Sequence, residues 1–83
     1  MASDKKTLDA VLHGSGSIAF RDLERLLRKL GFGLARISGS HHIYVHPKVS
    51  RPLSLQPLGK DAKRYQIRQI RDIIDEFGLT LES

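Results

Sequence analysis

The chain has 83 residues, 40% of them hydrophobic and five of them aromatic (three Phe, two Tyr), which suits one small folded domain with a modest core and is too apolar for a disordered segment. It contains no cysteine, so neither a disulfide framework nor a thiolate metal site is open to it, and a reducing, cytoplasmic setting is expected. The net charge is +5, and residues 21–71 alone hold twelve Lys or Arg against three acids, a field that attracts nucleic acid first, and an anionic membrane or an acidic protein after it.

Met1-Ala2-Ser3-Asp4-Lys5-Lys6 is followed by no apolar run, and nothing approaches the ~18 residues of a membrane span, so neither secretion nor membrane contact is expected. Residues 1–16 read as an extension that is flexible or holds one short helix, because Leu8, Val11 and Leu12 fall at i, i+3, i+4 ahead of Gly14-Ser15-Gly16-Ser17. The main domain is expected over 17–83. Its first element is an amphipathic helix from about Phe20 to Leu30. Leu23, Leu26, Leu27 and Leu30 form one stripe, Arg21, Arg25, Arg28 and Lys29 occupy the rest of the circumference, and Gly31 stands at the C-cap.

From Gly33 the pattern becomes short runs between turn residues: Leu34–Ser38, a Gly39-Ser40 turn, His41–His46 before Pro47, then Pro52–Gln56 before Pro57. This predicts a three-stranded antiparallel meander. In the middle strand Tyr44 competes with Ile43 and Val45 for the inside, and a period of two cannot decide between them. Gly59-Lys60-Asp61-Ala62-Lys63 reads as a polar connector. Helical spacing then returns in Ile67, Ile70, Ile73, Ile74 and Phe77, stopping at Gly78, with Arg64, Arg68 and Arg71 on the opposite stripe. Asp72, Asp75 and Glu76 oppose the helix dipole at that end, so they are expected to face solvent or a partner. The order α-β-β-β-α predicts an α+β fold with two helices on one face of the sheet, the layout of double-stranded-RNA-binding domains.

Three histidines lie close together, His41, His42 and His46. A shared metal is not expected, since adjacent strand residues point to opposite faces and His42 and His46 would stand about 13 Å apart. His41, straight after a Gly-Ser turn, is both exposed and aimed. An imidazole there suits general acid–base chemistry, with an RNA 2′-hydroxyl as the attacking group. The bland alternative is a histidine that caps a strand or pairs with a carboxylate. Gly14-Ser15-Gly16-Ser17 lacks the Lys-Ser/Thr of a phosphate loop, and the acids offer no close pair for a two-metal nuclease or a glycosidase.

Gly39-Ser40-His41-His42, then Tyr44 and His46-Pro47, together with Leu55-Gln56-Pro57, Tyr65-Gln66-Ile67-Arg68-Gln69 and Phe77-Gly78-Leu79, resembles the HicA toxin family over roughly residues 18–79. The resemblance implies a ribonuclease toxin of a type II toxin–antitoxin pair, cleaving mRNA and silenced by a HicB-type antitoxin, and with a histidine as the acid–base group no cofactor is expected. It implies that the first histidine of the motif, His41, is catalytic. RNA contacts are expected from Arg36, Ser40, His42, Lys60, Lys63, Arg64 and Arg68. The alternative function is a module of the same fold that binds RNA and cuts nothing.

Overall fold

A computed structural model describes residues 3–14 and 16–81. Met1 and Ala2 of the extension, Ser15 of the Gly-Ser run, and Glu82 and Ser83 at the end of the main domain lie outside the described residues. The first helix, α1, runs Asp4–His13, longer than the two turns that Leu8, Val11 and Leu12 suggest. Its ends explain the length: the Ser3 hydroxyl accepts from Lys6 N at 3.2 Å, and Gly14, at φ 66°, returns its N–H to Ala10 O. Both are standard ways of satisfying orphan helix-end groups. Val11 is fully buried and Thr7 nearly so; α1 packs on the two later helices.

Helix α2 spans Phe20–Lys29 and buries Phe20, Leu23, Leu26 and Leu27. Gly31, at φ 99°, lets the chain reverse, and Phe32 N bonds back to Leu27 O at 2.9 Å. The sheet follows as β1 (Gly33–Ser38), β2 (His41–His46) and β3 (Val49–Leu55), antiparallel in the order β1-β2-β3. The last helix, α3 (Arg64–Phe77), buries Gln66, Ile67, Ile70, Ile73 and Ile74 and ends at Gly78, φ 62°. Asp72, Asp75 and Glu76 are exposed. The expected α-β-β-β-α order is thus present as α2-β1-β2-β3-α3, with α1 in front and the helices on one face of the sheet.

Two features depart from the sequence reading. Strand β3 begins at Val49, ahead of Pro52. Proline lacks the N–H that a central strand would use, but β3 is an edge strand paired with β2 alone, where that group is dispensable. The supposed connector also holds a small hairpin, β4 (Pro57–Leu58) with β5 (Asp61–Ala62), turning at Gly59-Lys60. It is sewn to the start of α2: Phe20 N donates to Lys60 O and Ala62 N to Ile18 O, both at 2.8 Å. Two residues per strand carry no periodicity, so the pairing was invisible in the pattern.

Alternation in β2 settles the competition at its centre. Tyr44 is fully buried with Leu53 and Leu55 of β3 and the leucines of α2, while Val45 is 46% exposed on the far face. Replacing Leu23 by Ala should lower unfolding free energy by about 2–5 kcal/mol, the usual cost of a core cavity. Val45→Ala should stay within about 0.5 kcal/mol. Urea unfolding of the two variants measures both.

Candidate functional site

The two faces of β2 separate the three histidines. On the helix side, His42 Nδ1 lies 2.6 Å from Glu24 Oε2, and Tyr44 donates its hydroxyl to the same oxygen at 2.7 Å. The carboxylate accepts, so the proton of the imidazole sits on Nδ1. The ring edge meets Phe20 at a centroid distance of 5.3 Å. His46 is tied down at the other end of the strand. Its Nε2 faces Leu30 O at 2.9 Å and its Nδ1 accepts from Lys48 N at 3.0 Å, so the Nε2–H tautomer satisfies both bonds. These two histidines fasten the sheet to α2.

His41 is different. It is exposed at the first position of β2, opposite Ser38 across the turn, and its side chain has no bonding partner among the described residues. Paired strand residues point the same way, so the register Ser38↔His41 and Arg36↔Ile43 puts Arg36 on the same open face, diagonal to His41. Arg36 is exposed as well.

Next to His41, the Ser40 hydroxyl accepts from Gln56 Nε2 at 3.0 Å, and Lys63 Nζ donates to Gln56 Oε1 at 3.3 Å. Ser40 therefore keeps its own hydroxyl hydrogen to offer. Gln56 is itself held from below. The amide of Gln66, 1% exposed, oriented as its neighbours require, accepts from Gln56 N at 2.8 Å and donates to Gln56 O at 3.0 Å. A buried amide thus imitates a strand partner at the point where β3 ends, and it aims the Gln56 side chain at the turn. Sequence reasoning missed both glutamines as site residues. The available signal was a polar Gln66 sitting beside Ile67 on the apolar stripe of α3.

The remaining sequence-derived contacts are dispersed. Lys60 stands at the β4–β5 turn, where it lines a cleft with His42, Phe20 and Arg21. Arg64 and Arg68 line a different cleft, between α1 and α3, together with Arg71. The structure therefore links Ser40 and Lys63 through Gln56, leaves His41 beside Ser40 as its neighbour in the chain with Arg36 on the same open face, and sets His42 with Lys60 and Arg64 with Arg68 elsewhere.

A family model for the HicA toxin of bacterial toxin-antitoxin systems matches residues 20–79, from the first residue of α2 to just beyond α3. The chain belongs to this family. As a HicA toxin it is the toxin half of a toxin–antitoxin system, which implies a cognate antitoxin. Helix α1 precedes the matched segment. No curated protein and no solved structure matches the chain, and among the described residues no helix is long and apolar enough to cross a membrane.

Burial, then the hydrogen bond and charge of Glu24, push the Tyr44 phenol above its ordinary range, with Arg28 pulling the other way. A raised folded-state value means that the proton is held more tightly in the folded chain. The associated stability is complete below the unfolded value near 10 and drains away as pH rises beyond it. Tyr44→Phe should cost about 1 kcal/mol near neutral pH, and the difference between wild type and variant should shrink above about pH 10. Urea titrations at stepped pH read this directly.

Proposed function

We propose that this HicA toxin is an endoribonuclease that cleaves mRNA in the cytoplasm without a metal ion, with His41 as its general acid–base. The observation that supports this most is the exposure of His41 on the open sheet face, with no bonding partner among the described residues, while the two histidines that follow it, His42 and His46, are committed to the scaffold. His41 takes the proton of a 2′-hydroxyl, the 2′-oxygen attacks the adjacent phosphorus, the phosphorus–5′-oxygen bond breaks, and the His41 imidazolium returns the proton to the departing 5′-oxygen. A cyclic phosphate remains on one product. Arg36 and Lys63 hold the phosphate and steady the charge that builds in the pentavalent state, and the Ser40 hydroxyl offers it a further donor. Arg64 and Arg68 extend the basic field to longer RNA.

A HicB-type antitoxin then has a simple task. It covers the open face, presents Asp and Glu to Arg36 and Lys63, and shuts His41 away from solvent. Rim charges of this kind act mainly on association rate and salt sensitivity. The working surface comes from residues 17–83, with α1 bracing the helices from behind.

His41→Ala should slow RNA cleavage by roughly 10²–10⁴, the usual worth of a positioned acid–base group, and relieve growth inhibition, while the thermal midpoint stays unchanged. His42→Ala should mainly lower stability, because it removes one of the two hydrogen bonds that Glu24 Oε2 accepts across the sheet–helix contact. RNA integrity, growth and thermal melts of the two variants separate chemistry from scaffold. A His41→Ala chain that is folded and fully active would overturn the assignment.

A further inference from the structure

One cleft lies outside the open face and outside the chemistry just described. It is formed where the β4–β5 hairpin meets the start of α2 and the first inward residue of β2, and its volume is about 620 Å³. That falls within the roughly 300–1,000 Å³ of small-molecule sites. The clefts beside Arg64 and beside Arg51, at about 280 and 270 Å³, do not reach it.

Its lining is of two kinds. Ala19, Phe20 and Pro57 make an apolar floor, and Arg21 and Lys60 bring two cations to which no ion pair is assigned among the described residues. His42 completes the wall. Glu24 holds its Nδ1, so the ring is fixed in place, while its Nε2 has no partner among the described residues. A flat apolar body fits the floor and the imidazole, and an attached anion fits the cations. A nucleotide has both parts.

Position supports the same occupant. His41 and His42 are consecutive, pointing to opposite faces of the same strand end. A single strand of RNA with its scissile phosphate at His41 needs only to pass around that end to bring its next nucleotide to the cleft. The hairpin that closes the cleft is anchored by two backbone bonds, one to Phe20 at the start of α2 and one to Ile18 just before it, so the opening is preformed.

We infer that this cleft is a nucleotide subsite, seating the base beside Phe20, Pro57 and His42 and the phosphate between Arg21 and Lys60, for the nucleotide adjoining the one cleaved at His41. The inference rests on the ribonuclease reading for its place along the substrate, though not for the binding itself.

The test uses the full chain carrying His41→Ala, titrated with a single-stranded RNA hexanucleotide and followed by amide chemical shifts. The expected result is movement at Phe20, His42, Gly59 and Lys60 in addition to the open face, with the cleft signals lost in Arg21→Ala/Lys60→Ala. In the wild-type background the same double substitution should raise KM roughly tenfold and change kcat by less than about twofold, because it removes charge-assisted contacts distant from the reacting bonds. Both cations are exposed, so the thermal midpoint should hold. Shifts confined to Arg36, Ser38 and Ile43, or no RNA binding at all, would overturn the subsite. Cleft shifts in a protein that never cuts RNA would uphold the subsite and refute the chemistry.

Discussion

Everything in this molecule hangs on the side-chain alternation of the central strand β2. Tyr44 points inward and is fully buried, and its hydroxyl reaches Glu24 together with His42. His46 reaches the carbonyl of Leu30 at the end of the same helix. Three inward residues are thereby locked to α2 at both ends, and a slip of one residue would exchange the faces of the whole strand. It would bury His41 and expose Tyr44, at the loss of a core aromatic and three hydrogen bonds. The exposure of His41 is therefore a consequence of core packing and does not depend on the turn that precedes it.

A second constraint works from α3. Gln66 is a polar residue in an apolar stripe, and its amide is matched on both its oxygen and its nitrogen by the backbone of Gln56. Losing that pair would leave buried donors and acceptors unmet, at about 1–3 kcal/mol each. The interaction fixes where β3 ends, and with it the line from Lys63 through Gln56 to Ser40. Core helix and surface turn are thus connected by a few hydrogen bonds, with no charged group buried along the way. The strand end at His41 and His42 faces the open sheet on one side and a basic cleft on the other, and the positive field of residues 21–71 covers both.

Much of the fold was legible because long elements repeat their signal. The leucine stripe of α2, the isoleucine stripe of α3 and the glycines that stop both are visible in the residues alone. The inward choice of Tyr44 was not, since Ile43 and Val45 are equally apolar and the decision is made by Glu24, eighteen residues from His42 and twenty from Tyr44. The hairpin Pro57–Ala62 and the early start of β3 at Val49 are fixed by tertiary partners rather than by local preference. At the site, the turn ahead of His41 was readable as a place where an imidazole is presented. The basic residues were readable only as a total: Arg36, Lys60, Lys63, Arg64 and Arg68 carry the same charge, and nothing in their spacing distributes them between an open face, a hairpin cleft and the groove beside α1.

The measurement that bears most directly on the account is the chemistry of the cut ends. The purified chain is incubated in EDTA with a synthetic RNA and with its 2′-O-methyl counterpart, and the products are weighed by mass spectrometry. An exposed histidine acting on the substrate's own 2′-hydroxyl predicts 2′,3′-cyclic phosphate and 5′-hydroxyl ends from the first strand and no cleavage of the second. Products ending in 3′-hydroxyl and 5′-phosphate, or scission of the methylated strand, would contradict it.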